Sequence, residues 1–269
     1  MNSGNLPTPE PLIISSAHNP LLKKIRRAAQ KGTLTEDGYC IAETFHLVEE
    51  AVASGCEVPF VIVAESARSR SGHLRGNSTR QVHVPDDLFN GVATTEHAQG
   101  IMALVRPPAW SMEHLFSGQP LVLVLDRLQD PGNAGTILRT AEAFGATGVV
   151  TIKGTVSLLN PKTVRASAGS VFRIPSVSGV SVDTFQEELH RRQTPLWAAM
   201  PRASRILSDL HLTGAMAFAI GSEGGGISPE LAALADSFRI PTVGVESLNA
   251  SAAAAVILYE AAKQRNTGL

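Results

Sequence analysis

The sequence predicts an α/β protein: a parallel sheet with helices on both faces, preceded by a smaller α/β domain. Three observations predict it. Apolar runs of strand length alternate with helical-period stretches from residue 19 almost to the C-terminus, the pattern of a sheet covered on both faces. The alternation breaks once, at Arg106-Pro107-Pro108-Ala109-Trp110, because consecutive prolines suit neither a helix interior nor a central strand. The 269 residues, 43% apolar, suffice for one large core or two modest ones.

Residues 1–14 read as a polar tail whose proline-containing start lacks the apolar core of a signal peptide. Residues 19–30 carry Leu21, Leu22, Ile25, Ala28 and Ala29 on a helical period, and 44–54 form a second helix closed by Gly55. Phe60–Ala64, 81–84 and Ile101–Val105 read as strands. These make a small domain over 15–106, with a linker over 107–119. The second domain, 120–269, opens with Leu121–Asp126, apolar enough for a parallel strand buried on both faces. Asp130-Pro131-Gly132 predicts a turn, and 134–144 a helix stopped by Gly145. Gly148–Ile152, 196–200, 215–220 and 238–240 follow as strands. Ser228-Pro229-Glu230 suits a helix start. Residues 252–265 are a closing helix with cations in its last turns.

Net charge is −1, which by itself does not announce a nucleic-acid partner. Its distribution says more. Residues 15–35 carry Lys23, Lys24, Arg26, Arg27 and Lys31 without an acid; 66–85 carry Arg68, Arg70, Arg75 and Arg80; 151–182 carry Lys153, Lys162, Arg165 and Arg173. A solvated face explains any one run, but three tilt the reading toward a polyanion. No apolar run approaches the ~20 residues of a membrane helix. Cys40 and Cys56 match no metal spacing and read as free thiols in a reducing cytoplasm. The eight histidines are scattered, so no metal is expected.

Three segments carry the chemistry: Asn133-Ala134-Gly135-Thr136-Ile137-Leu138-Arg139, Ile220-Gly221-Ser222-Glu223-Gly224-Gly225-Gly226 and Ser247-Leu248-Asn249-Ala250-Ser251. Each follows a predicted strand, and parallel α/β domains bind ligands at the carboxyl ends of their strands. The glycine segment lacks the spacing of a dinucleotide fingerprint, no Gly-Lys-Ser/Thr follows it, and Ile220 stands where a nucleophile elbow needs glycine.

In that order and spacing, with Asn160-Pro161 and Arg165-Ala166-Ser167-Ala168-Gly169-Ser170 between the first two, the segments resemble the SpoU (TrmH-like) RNA ribose 2′-O-methyltransferases of the SPOUT class. The resemblance runs from Leu121 to about Arg265; the N-terminal part more loosely resembles an L30e-like RNA-binding domain. It implies a C-terminal trefoil knot, where periodicity alone predicts an unknotted sheet. It also implies a pocket for S-adenosylmethionine and a homodimer formed through the C-terminal domain. The family's catalytic set maps onto Asn133, Arg139, Glu223, Ser247 and Asn249, and the cofactor contacts onto Met200, Gly221, Ser222, Ile240 and Leu248. Lys23, Arg26, Arg27 and Arg165 are the candidate RNA contacts.

A guanidinium stays charged near neutrality, so Arg139 is a poor proton acceptor. Stabilising a developing alkoxide and anchoring the adjacent phosphate suit it better. Plainer roles stand beside these: Arg139 pairing with Glu142 on the helix surface, Asn133 as an N-cap, Ser247 and Asn249 capping the last helix, Glu223 as a loop acid. The expected substrate is structured RNA, ribosomal ahead of transfer RNA. A catalytically silent RNA-binding relative and a nucleotide-binding metabolic enzyme are the competing readings.

Overall fold

The computed structural model describes residues 10–74 and 79–265. The first nine residues of the expected tail, and Arg75, lie outside them. The chain divides into two compact units: residues up to Pro108 together with Leu159–Phe172, and Ala109–Leu158 together with the chain from Arg173 onward.

The first unit holds a five-stranded sheet of β1 (Leu12–Ile13), β2 (Cys40–Glu43), β3 (Phe60–Ala64), β4 (Arg80–Val84) and β5 (Ile101–Val105), in the order β1-β4-β3-β5-β2. β1, β4 and β3 run parallel; β5 is antiparallel to both its neighbours. Leu12 and Ile13, inside the expected polar tail, pair with Val82 and His83. Helices α1 (Pro20–Lys31), α2 (Phe45–Ala53) and α3 (Asp86–Asn90) belong to the same unit. α1 starts where Asn19 accepts from Leu21 N (2.9 Å) with Pro20 in the first turn, and it buries Leu22, Ile25 and Ala28.

The chain continues through α4 (Met112–Leu115), β6 (Leu121–Asp126), α5 (Pro131–Ala143) and β7 (Gly148–Ile152). Next comes α6 (Pro161–Ala166), which packs on β2. The sequence boundaries assign this segment to the second domain, yet it groups with the first unit. Then follow β8 (Ser176–Val180), α7 (Val182–Arg191), β9 (Leu196–Ala199), β10 (Arg205–Ile206), β11 (Met216–Gly221), α8 (Pro229–Ala232), β12 (Asp236–Arg239) and α9 (Ala250–Gln264).

The second unit's seven strands are all parallel, in the order β10-β12-β9-β11-β6-β7-β8. β6 lies between β11 and β7, and every one of its residues is buried, which is why it reads as an apolar run up to Asp126. α9 returns from the β12 side of the sheet to pack on α5. Among the described residues no helix is long and apolar enough to cross a membrane.

Candidate functional site

The carboxyl ends of β6, β11 and β12 present the three motif segments, and each is shaped by local hydrogen bonding. After β6, Asp130 caps α5: its carboxylate accepts from Asn133 N at 2.6 Å, with Pro131 in the first turn. The expected turn at 130–132 is thus the first turn of the helix, and Asn133 is not its cap. The Asn133 side chain is free for another partner.

β11 ends at Gly221, and the chain closes a tight loop. Ser222 N donates to Gly226 O at 3.1 Å, Gly226 N to Ser222 O at 2.8 Å, and Gly225 N to Ser222 Oγ at 3.2 Å. The loop needs glycine at both ends. A Cβ on Gly221 would lie 2.1 Å from the carbonyl carbon of Gly226, and Gly226 sits at φ 61°. Past the loop, Ser228 N donates to the buried Asp126 carboxylate at 2.5 Å, tying it back to the end of β6. Glu223 projects from this loop, exposed.

After β12 the chain reaches Asn249, the N-cap of α9, whose Oδ1 accepts from Ser251 N at 2.9 Å and Ser251 Oγ at 2.7 Å. Its other end is also used. Asn249 Nδ2 donates to Glu223 Oε1 at 2.7 Å, and Asn133 Nδ2 donates to the same oxygen at 2.5 Å. Capping and site-building therefore coexist in one side chain. A single carboxylate oxygen joins all three segments through charge-assisted hydrogen bonds, and Glu223 Oε2 has no hydrogen-bond partner among the described residues.

Beside this junction lies a cleft of about 280 Å³. All five residues expected to touch a cofactor line it: Met200, Gly221, Ser222, Ile240 and Leu248; so do Glu223 and Ser247. Sequence reasoning missed Ala199, Pro201 and Glu246 in its walls. Glu246 had a signal, as an acid next to Ser247, and it pairs with Arg202 at 3.3 Å, both side chains largely exposed. Apolar side chains with interspersed hydroxyls and carboxylates suit a mixed apolar and polar ligand.

Arg139 is exposed on α5 and makes no polar contact among the described residues. Its expected plain partner, Glu142, is instead held by Arg173 through Nε–Oε1 at 2.5 Å and Nη2–Oε2 at 3.0 Å. The four candidate RNA contacts all lie in the first unit. Arg27 pairs with Glu36, as Lys24 does with Asp37, so two of the five cations of α1 are paired with acids just past the acid-free run. Arg26 Nε donates to Gly91 O at 3.1 Å, and Lys23 is exposed. Arg165 Nη1 donates to Thr94 Oγ1 at 3.3 Å; the buried Glu43 carboxylate accepts from Thr94 N at 2.6 Å and from Thr95 Oγ1 at 2.7 Å.

Comparison with known proteins bears on this geometry. Residues 120–259 match the SpoU rRNA methylase family, and residues 19–103 match an MRM3-like substrate-binding domain. A Synechocystis protein named an uncharacterised tRNA/rRNA methyltransferase is 33% identical over 264 residues, covering 94% of each chain. The 23S rRNA (guanosine(2553)-2′-O)-methyltransferase RlmP of Bacillus subtilis is 32% identical over 248 residues, 91% of this chain and 97% of its own. The SpoU methyltransferase AviRb from Streptomyces viridochromogenes, solved in complex with the cofactor AdoMet, superposes with a TM-score of 0.83 at 27% identity, over 94% of this chain and 100% of that one. With a methylase domain whose three motifs meet at Glu223 and a substrate-binding domain before it, the chain belongs to the SpoU rRNA methylase family and is an RNA methyltransferase.

Proposed function

We propose that the protein transfers a methyl group from S-adenosylmethionine to the 2′-hydroxyl of one ribose in 23S ribosomal RNA. The observation that carries this reading is the junction at Glu223: Asn133 and Asn249 meet on one of its oxygens at the rim of the cleft. The cleft suits the cofactor. Ile220, Ile240, Leu248 and Met200 offer apolar walls for an adenine, while Ser222, Ser247, Glu223 and Glu246 offer polar groups for the ribose and the charged end. When bound, the cofactor supplies an electrophilic methyl group on a positively charged sulfur.

The chain's own work is positioning, removal of the hydroxyl proton and stabilisation of charge. Glu223, braced by two amides, presents Oε2 to the reacting ribose. Arg139, exposed and without an acid partner among the described residues, stabilises the developing alkoxide and anchors the adjacent phosphate. A phosphate oxygen or a water takes the proton. Ser247 lines the cleft beside Leu248 and fixes the approach of the donor.

Ribosomal RNA is favoured because the Bacillus subtilis relative is named for 23S RNA; the Synechocystis relative's name spans both RNA classes, which makes transfer RNA the alternative substrate. The protein acts as a homodimer through its C-terminal domain, where α9 leaves Val256 and Tyr259 39% and 51% exposed. The trefoil knot is tied along the path from β12 back to α9. The return of α9 across the sheet to α5 supports it. Calorimetric titration with S-adenosylmethionine, followed by transfer of a tritiated methyl group to unmodified 23S and transfer RNA transcripts, tests the reading. Absence of cofactor binding would remove it; label on the transfer RNA alone would move the target.

A further inference from the structure

Arg127 directly follows β6 with φ 54°. Non-glycine residues adopt this left-handed backbone rarely, and keep it where their surroundings impose it. Here the surroundings do so on every side. Arg127 N donates to Thr155 Oγ1 at 2.9 Å, and that hydroxyl donates to Leu125 O at 2.9 Å. Gln129 Nε2 donates to Arg127 O at 3.0 Å and to Gly154 O at 2.6 Å. Glycine would fit this backbone without strain, yet the chain pins an arginine there.

The hydrogen bonds show where its side chain goes. Arg127 N bonds Thr155 Oγ1 and Val156 N donates to Leu128 O at 2.8 Å, so Arg127 lies against the loop after β7, the loop that begins at Lys153. Its stem runs along the loop after β7, since a Cβ on Gly154 would lie 3.6 Å from Arg127 Cγ. The Arg127 side chain is 44% exposed and ion-pairs with the buried Asp126, its Nε 3.6 Å from Oδ1, too long for a hydrogen bond. Asp126 spends its other oxygen on Ser228 N. Lys153 is exposed and meets no acid among the described residues. Two exposed cations on neighbouring loops, Arg127 held only by one 3.6 Å ion pair and Lys153 by no acid among the described residues, suit a phosphodiester.

The location fits a substrate strand. β11, β6 and β7 are neighbours, and the cleft opens on the β9 and β12 side of β11. With strands about 4.8 Å apart, the two cations stand one to two strands from the Glu223 loop, on the side away from the cofactor. We infer that Arg127 and Lys153 form a phosphate subsite that holds the RNA backbone next to the target ribose. This rests on the RNA methyltransferase reading and goes beyond it by assigning the strand's path over the sheet edge.

Arg127→Gly is the informative variant, because glycine suits φ 54°, and its melting midpoint checks that loss of the Asp126 ion pair leaves the fold intact. The probe is an unmodified 23S ribosomal RNA transcript, with binding measured across a salt series and methyl transfer with tritiated cofactor. For Arg127→Gly, the KM for RNA rises about tenfold, the scale of one charged hydrogen-bonding contact. The log–log salt slope of binding flattens by about 0.7 to 0.9, one phosphate contact. Lys153→Ala flattens it likewise, Arg127→Lys keeps the slope, and affinity for S-adenosylmethionine is unchanged in all three. A purely structural Arg127 would leave both RNA readouts unmoved in Arg127→Gly, and that result overturns the inference alone. If the unsubstituted protein neither binds nor methylates any RNA, the methyltransferase reading falls, and this inference with it.

Discussion

Asn249 performs two jobs with two ends of one amide, and Asn249→Asp separates them. Aspartate is as good an N-cap as asparagine, and its charge at a helix N-terminus adds about 0.3 to 1 kcal/mol. The bonds to Ser251 N and Ser251 Oγ are therefore kept, and α9 holds. The other end inverts: a donor 2.7 Å from Glu223 Oε1 becomes a second carboxylate oxygen. Losing a hydrogen bond to a charged acceptor costs about 1.5–3 kcal/mol. Two like charges 4 Å apart add about 1 kcal/mol in water and about 4 kcal/mol near a protein surface. Glu223 and Asn249 are exposed, so the low end applies. Even about 2 kcal/mol of lost transition-state positioning is about thirtyfold in rate. The expected outcome is a thermal midpoint close to the unsubstituted protein and methyl transfer lowered at least thirtyfold, read by melting and by tritium incorporation. Asn249→Ala loses the tie and also about 1 kcal/mol of cap. Full activity in Asn249→Asp would refute the claim that the amides position Glu223.

Further outcomes follow from the same geometry. Gly221→Ala forces a Cβ against the backbone of Gly226 and Ile227 at 2.1–2.4 Å, so the loop opens and calorimetry shows S-adenosylmethionine affinity lowered more than tenfold, with about 1–3 kcal/mol lost from stability. Arg139→Lys keeps the charge and loses the planar fork; turnover falls at least tenfold, and restored full activity would remove the guanidinium-specific role. Burial pushes the Cys40 thiol up to about 12 from 9.0 and also raises the half-buried Cys56. In the folded protein a thiol reagent therefore labels Cys56 slowly and Cys40 not at all; both react after denaturation. Between pH 9 and 12 the unfolded chain loses the Cys40 proton while the folded chain keeps it. Stability then falls as pH rises through that window, and Cys40→Ala flattens the decline in denaturant titrations.

Much of the fold was legible because burial on both faces leaves a plain signature. β3 and β5 are unbroken apolar runs, β6 and β7 are interrupted only at Asp126 and Thr151, and the limits of all four coincide with the expected strands. What was illegible lies at edges and in short elements. β8 (Ser-Val-Ser-Gly-Val) is an edge strand with two exposed residues, and β10 spans two residues, so neither has an apolar run. β2 hides its end behind Glu43, a buried acid satisfied by Thr94 and Thr95, whose partners are about fifty residues away in sequence. The same distinction holds at the site. Residue types and order pointed to Asn133, Glu223 and Asn249, but only the fold brings them onto one carboxylate oxygen. The cap at Asp130 was misread as a turn because Pro131-Gly132 signals a break locally, whereas proline in the first turn of a helix is favourable. The basic run of α1 overstated its free charge, since Glu36 and Asp37 come just after it and fold back onto Arg27 and Lys24.

The central claim is that the Glu223 junction and the cleft beside it methylate a ribose hydroxyl. Its most direct test is mass-spectrometric mapping of ribose methylation in RNA from cells with the gene, without it, and complemented with Glu223→Ala. The expected result is one 2′-O-methyl group in 23S ribosomal RNA that disappears on deletion, returns with the unsubstituted protein and does not return with Glu223→Ala. An unchanged ribose pattern, or a lost methyl group that maps to a base, would contradict it.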